Sequence, residues 1–396
     1  MTQQESRKFN LQLIIVLGAV AALTPFAIDM YLPAMPAIAK DLLVNPSLVQ
    51  ATLTAYTAGF AVGQLLHGPL SDSYGRRPIL LIGIVFFVLT GVMSALSSSI
   101  YELTWFRAAQ GFSGAAAAVI IQALVRDMFK REEFARTMSF VTLVMTIAPL
   151  IAPMIGGYLS IWWGWRAIFW LLAIFALFVI ALVLWKIPET LPAEKRVPLH
   201  FRSTIRSYVQ LMATPSVVGL VLCGGFSFAG MFTFLTVGSF VYIDLYHVSP
   251  ENFAYLFALN VVCLILMTMV NGRLVVQMGS HFMLRLGLSV QLFAGLGLIT
   301  GQLFDFGLWG VVIPVPIFIG TLSTIGSNSM ACLLGRYPHI AGTASSLAGT
   351  LRFGIGSLVS GGVALMPSSS AWPLAITMLT CAILSSVFYW FLAREA

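Results

Sequence analysis

The chain has 396 residues, of which 59% are hydrophobic and 9% are charged, and its formal net charge at pH 7 is +7. Soluble domains average about 45–50% apolar and about 25% charged residues, so this composition excludes an ordinary soluble domain and indicates a protein surrounded by lipid. The basic residues lie in short segments between apolar runs, where membrane topology accounts for them, and we therefore expect no nucleic-acid binding.

Twelve apolar runs follow one another along the sequence, and each is long enough to cross a bilayer as a helix. They occupy residues 11–38, 48–70, 78–98, 102–125, 137–160, 165–185, 214–240, 252–271, 283–304, 307–333, 343–366 and 372–392. The first run follows two basic residues, as in a signal peptide, but it continues past Asp29 to Ile38 without a cleavage-site pattern. We therefore predict that it is retained as the first span.

The longest polar stretch covers residues 186–212 and divides the runs into two groups of six. Its proline and charged residues are typical of a loop. Two similar halves of this kind are a feature of secondary transporters. We predict an N-terminal six-helix half at residues 1–186, a cytoplasmic linker at 187–212 and a C-terminal six-helix half at 213–396.

The basic residues are distributed unevenly between the two sides of the membrane. If the N-terminus is inside, 17 of the 21 Lys and Arg residues lie in cytoplasmic segments, and only Lys40 and Arg166 lie outside. The positive-inside rule therefore predicts that both termini are cytoplasmic. The four cysteines all lie in apolar runs without the spacing of a zinc site, so we predict no disulfide and no metal site.

Three charged residues lie well inside apolar runs: Asp29 in the first, Arg107 in the fourth and Arg352 in the eleventh. A charge at bilayer depth costs about 3 kcal/mol on insertion scales and usually faces a cavity or a partner. The helical rise places Asp29 about 13 Å and Arg107 about 8 Å inside the outer surface. We expect these two residues to form an ion pair that serves proton or substrate binding, with a purely structural salt bridge as the alternative.

Arg352 has no acidic residue within the spans of its own half. Its partner must therefore be water, a carbonyl group, an amide such as Asn260 or Asn328, or a substrate, and both a cavity role and a structural role stay open. Gln110 follows Arg107 by one helical turn and shares its face. Phe232 belongs to an aromatic-rich run, for which lipid-facing packing is the alternative to lining a pocket. The candidate cavity residues are Gln110, Arg352, Asn260 and Phe232.

Two further titratable residues lie at the ends of spans. Glu102 begins the fourth run, where an acidic side chain suits the N-terminus of a helix. His67 ends the second run, where it is interpreted as a polar cap, with a proton shuttle as the alternative because histidine titrates near neutral pH.

Four short stretches in the first half have distinctive polar, glycine and proline patterns. In chain order they are AIDMYLPAMP (27–36), GPLSDSYGRRP (68–78), RAAQGFSGAA (107–116) and APMIGGYL (152–159). They resemble the span 1 signature of twelve-span drug:proton antiporters, the major facilitator loop signature, the span 4 signature and the span 5 antiporter signature, the last with Ala152 in place of glycine. Longer stretches resemble the bicyclomycin-resistance (Bcr/CflA) proteins, namely GFSFAGMFTF (225–234), PENFAYLFALN (250–260) and HIAGTASSLAGTLRFGIG (339–356).

The resemblance covers nearly the whole chain and implies an all-α membrane protein with the major facilitator fold, in which twelve transmembrane helices form two six-helix halves around a central cavity. It also implies that Asp72 faces the N-terminus of span 11, near residues 342–345, and that Arg76 pairs with Asp127. Gly75 would allow the tight turn between them. We refer to these four residues, Gly75, Asp72, Arg76 and Asp127, as the cytoplasmic latch, because they would hold the two halves together on that side.

The span 5 signature contains Pro153, Gly156 and Gly157. The proline interrupts the hydrogen-bond ladder of the helix, and the glycines let a second helix approach closely. A tight contact between the halves is therefore expected here, although proline and glycine are also common in ordinary membrane helices.

A chain with this resemblance is expected to be a secondary transporter, not an enzyme, which exports small drug-like molecules such as bicyclomycin across the inner membrane in exchange for protons. We expect a monomer in the lipid bilayer that needs no cofactor, because the proton gradient drives it and the sequence has no nucleotide-binding glycine loop. The first alternative is an exporter of an amino-acid or small-peptide metabolite. An integral-membrane enzyme and a channel are less favoured alternatives.

Overall fold

The computed structural model describes residues 11–129, 131–196, 198, 208–336, 341–367 and 370–394, and these residues form a bundle of long helices. Each long helix falls on one of the predicted apolar runs, which confirms the all-α membrane fold. The helices are α1 (Leu11–Asp29), α2 (Pro46–Tyr74), α3 (Arg76–Leu96), α4 (Ile100–Met128), α5 (Arg131–Trp163), α6 (Arg166–Lys186), α7 (Pro215–Ser239), α8 (Pro250–Met278), α9 (Ser280–Leu303), α10 (Pro314–Arg336), α11 (Ala341–Ala364) and α12 (Trp372–Phe388).

The first apolar run is not one continuous helix. α1 ends at Asp29, and the chain continues through a single 3-10 turn at Leu32–Ala34 into a short helix at Met35–Asp41. Pro33 and Pro36 lie in these two short segments, where their missing N–H groups are tolerated because they occupy first helical turns. Asp29 therefore lies at a break in the span and not within a regular helix.

Eleven segments of the described chain are long and apolar enough to cross a membrane, and α2 is the long helix that is not among them. Its 29 residues exceed the required length, but Gln50, Gln64 and His67 lower its hydropathy. Gln50 and His67 are buried within the bundle. The polar side chains of α2 thus face other helices, and the hydropathy of the helix underestimates how well it suits a membrane.

Helix ends are closed by the residues that the sequence indicates. At the start of α4, Ser99 Oγ accepts a hydrogen bond from the Glu102 backbone N–H at 3.3 Å, and the Glu102 carboxylate accepts one from the Ser99 N–H at 3.3 Å. The single residues Gly75 and Gly279 join α2 to α3 and α8 to α9, with φ of +107° and +79°. These left-handed conformations favour glycine, and their equivalent places indicate that the second half repeats the first.

The closest helix pair in the first half is α2 against α4. A Cβ atom at Gly111 would lie 1.9 Å from the Tyr56 carbonyl oxygen, and one at Gly59 would lie 2.0 Å from the Ala108 carbonyl oxygen. The two backbones are therefore in direct contact, which is the packing that small residues allow between membrane helices.

The two halves contact each other at the end of the bundle that carries the α1–α2 and α7–α8 connections, which we call the outer end. The Lys40 ammonium lies 3.2 Å from the Asp244 carboxylate. The Ser239 hydroxyl lies 3.8 Å from the Met35 sulfur. Further from this end, the Ser357 hydroxyl donates to the Thr54 carbonyl at 3.1 Å. The bundle is thus held closed at the outer end.

Candidate functional site

Arg107 of α4 is completely buried in the first half, and it lies among aromatic rings. Its guanidinium carbon is 4.6 Å from the centre of the Tyr31 ring and 4.4 Å from that of Tyr56. One terminal nitrogen, Nη1, donates to Gln110 Oε1 at 2.7 Å. The expected neighbourhood of Arg107 and Gln110 is therefore present, and cation–π contacts supply the attraction that an anion would otherwise give.

The expected ion pair between Asp29 and Arg107 is absent from this conformation. No ion pair in the described part of the chain includes either residue. Two causes are visible: α1 breaks at Asp29, so the assumed continuous helix is wrong, and the guanidinium is enclosed by Tyr31, Tyr56 and Gln110. Asp29 itself is only 6% exposed, so a carboxyl group is buried beside the helix break.

Several buried polar atoms around Arg107 have no hydrogen-bond partner among the residues that the structure describes. They are Nε and Nη2 of Arg107, Nε2 of Gln110 and the hydroxyl oxygen of Tyr56. Unsatisfied polar atoms are rare in protein interiors, where each costs about 1–3 kcal/mol, and their clustering indicates positions for water or for a ligand's polar groups. This cluster lies at the break in the first span.

The second half contributes a mostly aromatic surface. Phe232 of α7 is 1% exposed, and its ring centre lies 5.3 Å from that of Phe228 and 5.6 Å from that of Phe353. The Phe353 ring in turn lies 4.3 Å from Phe60 of the first half. Phe232 thus faces the contact between the halves and not lipid.

Arg352 and the two asparagines named from the sequence do not form one cluster. Asn328 donates to Asn271 Oδ1 at 2.7 Å and to the Thr324 carbonyl at 2.8 Å, so its amide group is already engaged. Asn260 is 2% exposed, and neither of its amide atoms has a hydrogen-bond partner in the described part of the chain. Arg352 instead donates to the Gly326 carbonyl at 3.4 Å.

The inner end of the first half carries the cytoplasmic latch residues. Arg76 is 5% exposed and lies between two acidic side chains: it pairs with Asp72, and its Nε is 3.3 Å from Asp127 Oδ2. Its Nη1 also donates to the Ser71 hydroxyl at 2.8 Å. The expected approach of Asp72 to residues 342–345 lies outside the described residues, since the side chains there are not described.

Glu189, in the linker after α6, is a member of this inner cluster that the sequence interpretation missed. Its carboxylate accepts hydrogen bonds from the backbone N–H groups of Arg76 at 3.0 Å and Arg77 at 3.2 Å. The first N–H groups of a helix have no partner inside it, and the helix dipole favours an anion there. Gly75 leaves no side chain in the way, because a Cβ atom there would lie 2.5 Å from Glu189 Oε2.

The span 5 signature lies on α5 and faces two different neighbours. A Cβ atom at Gly156 would lie 2.0 Å from the Met30 carbonyl oxygen, just after the break in the first span. One at Gly157 would lie 3.3 Å from the carbonyl oxygen of Pro250, the first residue of α8. Only the second is a contact between the halves, whereas Gly156 packs against its own half. Pro153 lies one turn before Gly156, inside α5.

His67 is buried against α4, where its Nδ1 lies 2.8 Å from the Gly63 carbonyl and its ring centre is 4.9 Å from that of Phe112. This bond closes within one turn of α2, which continues past His67 to Tyr74, so His67 does not cap the end of the helix as the sequence interpretation had it.

Comparisons with known proteins extend over the whole chain. The family model described as Major Facilitator Superfamily matches residues 17–361. The chain is 42% identical over 395 residues to the Bicyclomycin resistance protein homolog of Haemophilus influenzae, covering 100% of this chain and 98% of that protein. It is 28% identical to Multidrug resistance protein D of Escherichia coli, covering 94% and 93% of the two chains.

Two solved structures share the fold. The D-xylose-proton symporter matches with a TM-score of 0.75 and 16% identity, covering 96% of this chain and 98% of that one. A bacterial homolog of the human lysosomal transporter Spinster, in an inward-facing and occupied conformation, also matches with a TM-score of 0.75, at 14% identity and with 99% and 98% coverage. At these identities the likeness concerns the fold alone.

Proposed function

We propose that this chain, which belongs to the major facilitator superfamily and is therefore a multi-pass membrane transporter of small molecules, exports drug-like molecules in exchange for protons. The observation that carries the proposal is the 42% identity, over the full length of the chain, to a Bicyclomycin resistance protein homolog. The weaker full-length similarity to Multidrug resistance protein D points to the same class of cargo.

Asp29 is the proposed proton-binding residue. It is the acidic residue that lies well inside a span, and it sits where α1 ends and the chain turns toward the short helix at Met35–Asp41. The surroundings of a side chain at such a break change when the halves move. Protonation can therefore bias the balance between conformations, provided that they bind the proton differently.

Arg107 is proposed to respond to that proton. Its aromatic contacts and its bond to Gln110 hold the guanidinium away from Asp29 in the present conformation. A deprotonated Asp29 would attract the positive charge, whereas a protonated one would leave it with the rings. The cargo would bind between the halves, with Gln110, Asn260, Phe232 and Arg352 as its proposed polar and aromatic contacts.

The remaining parts of the proposal concern location and assembly. We place the protein in the inner membrane with both termini in the cytoplasm, because 17 of the 21 basic residues then lie inside. We propose that it works as a monomer without a cofactor, driven by the proton gradient. In this orientation the closed outer end faces away from the cytoplasm, and the cytoplasmic latch lies at the opposite end of the bundle.

Everted membrane vesicles test the function directly. Vesicles that contain the protein should accumulate labelled bicyclomycin when a proton gradient is generated, and an uncoupler should abolish that accumulation. Vesicles without the protein provide the control. Accumulation of labelled amino acids in place of drugs would favour the metabolite exporter, and accumulation of drug that resists the uncoupler would contradict proton coupling.

A further inference from the structure

Arg352 is a positive charge near the middle of the membrane that the coupling mechanism does not use. It lies eleven residues after Ala341, the first residue of α11, which corresponds to a depth of about 17 Å in a hydrocarbon layer about 30 Å thick. An arginine placed there cannot reach a headgroup by extending along the helix, so its charge must be accommodated inside the bundle.

Three helices build the place that holds this side chain. The guanidinium of Arg352, from α11, passes between Gly224 of α7 and Gly326 of α10. A Cβ atom at Gly326 would lie 3.1 Å from Nη2, and one at Gly224 would lie 3.8 Å from it. Both glycines therefore leave the space that the guanidinium needs. Arg352 and Gly224 line a small cavity together with Ser329.

The partners of Arg352 are too few for a charge at this depth. Its hydrogen bonding within the described residues is a single 3.4 Å contact from Nη2 to the Gly326 carbonyl, which also accepts from the Ser329 hydroxyl at 3.1 Å. The second half contains four acidic residues, all at helix ends or at the C-terminus: Asp244, Glu251, Asp305 and Glu395. A cation in a low-dielectric site that has one long hydrogen bond and no counter-ion among the described residues strongly favours an incoming anion.

An aromatic cluster begins at the next residue of α11. Phe353, the next residue of α11, has its ring centre 4.3 Å from that of Phe60, 5.4 Å from Phe228 and 5.6 Å from Phe232. These rings come from both halves, so they lie where a cargo molecule would pass. A flat apolar group would contact the rings while an acidic group on the same molecule reached Arg352.

We propose that Arg352 is a binding residue for a carboxylate carried by an aromatic cargo, and that Phe60, Phe228, Phe232 and Phe353 receive the apolar part of that cargo. The proposal rests on the proposed export function and narrows its substrate class to molecules that include organic acids. The carboxylate would accept hydrogen bonds from the guanidinium as a charge-assisted pair.

Binding of a matched acid and amide tests this proposal on the purified full-length protein. The probes are 2-naphthoate and 2-naphthamide, which share a ring system and differ in charge, and binding is followed by calorimetry. The wild type should bind the acid more tightly than the amide. Arg352→Gln should weaken 2-naphthoate binding by about 10-fold or more, the loss expected for a hydrogen bond to a charged group, and change 2-naphthamide binding by less than about 2-fold.

Two further variants distinguish the effect of losing the charge from the effect of disturbing the fold. Arg352→Lys keeps the charge and should retain part of the preference for the acid, and Arg394→Gln removes an exposed positive charge at the end of the chain and should behave as the wild type. The proposal is overturned if the wild type shows no preference for the acid, or if Arg352→Gln weakens both probes equally, which would indicate a structural role. Uptake of labelled bicyclomycin by vesicles with Arg352→Gln reports separately on export, so loss of acid selectivity and loss of export are distinguishable.

Discussion

At the scale of single residues, the first-half site is organised around an arginine that has rings in place of a counter-ion. Arg107 is fully buried, and the Tyr31 and Tyr56 rings lie within 4.6 Å of its guanidinium carbon. A desolvated cation–π contact contributes about 2 kcal/mol or more, which offsets part of the cost of burying the charge. Because the rings contact the guanidinium, Arg107 can exchange its polar partners and still keep a favourable interaction.

Two substitutions at Tyr56 should distinguish the contribution of the ring to stability from that of the hydroxyl group. Tyr56→Phe keeps the face that contacts Arg107 and removes only the hydroxyl group. Tyr56→Leu removes the face itself and should cost about 2 kcal/mol more. Thermal unfolding in detergent measures the difference, and the cation–π account fails if the two variants unfold at the same temperature.

At the scale of helices, the positions of the spans follow from the apolar runs, but their interruptions do not. From the sequence, the run at residues 11–38 is interpreted as one span despite Asp29 and its prolines, whereas α1 ends at Asp29 and the Met30 carbonyl that follows is in direct contact with Gly156 of α5. The contact of Glu189 could not be predicted either, because 113 residues separate it from the Arg76 N–H that it binds. Such contacts belong to the tertiary structure, and a single sequence contains no periodic signal for them.

The close approach of α2 and α4 predicts that substitution by alanine has very different effects on stability at two glycines. Gly111→Ala should destabilise the protein by about 3 kcal/mol, in the upper range of overpacking, because the added Cβ atom would overlap the Tyr56 carbonyl. Gly272→Ala is the matched control in α8, where a Cβ atom meets nothing within 4 Å. It should be neutral or stabilising by up to about 1 kcal/mol through helix propensity. Equal folded yields and melting temperatures for the two variants would contradict the packing described.

Glu189 should stabilise the beginning of α3. Glu189→Gln removes the charge that faces the first N–H groups of the helix, which is worth about 0.3–1 kcal/mol. Amide hydrogen exchange at Arg76 and Arg77 should become several-fold faster, because that range corresponds to about a 2- to 5-fold change. Glu194→Gln, in the same linker and exposed, provides the control. Unchanged exchange in the Glu189 variant would show that its carboxylate does not cap the helix.

At the scale of the whole molecule, the contacts at the outer end differ from those of the cytoplasmic latch in whether they join the two halves. The Lys40–Asp244 pair joins the two halves in the conformation described, whereas Arg76 is paired within its own half. The two-half arrangement and the charge distribution could be predicted from the sequence, because apolar runs and basic loops are local features. Which end is closed depends on contacts between distant residues, such as Ser357 with Thr54, and so required the structure.

The outer ion pair should influence the balance between conformations. Lys40→Glu places two negative charges together and should increase the outward-open population, and adding Asp244→Lys should reverse the effect. Because the pair is exposed, the change should be at most about 1 kcal/mol and should weaken with salt. Distances between spin labels on Leu43→Cys and His247→Cys, with the native cysteines replaced, report the opening. Failure of the double variant to restore the distance would exclude a direct interaction between the two charges.

Proton exchange at Asp29 is the central claim of this account, and proton release on drug addition measures it most directly. Purified protein in weakly buffered detergent solution should release protons when bicyclomycin is added, because drug and proton favour different states. Asp305→Asn, which changes an exposed acid at a positive φ that asparagine tolerates, should release them like the wild type. Asp29→Asn should bind the drug and release no protons. Undiminished release from Asp29→Asn would contradict the account.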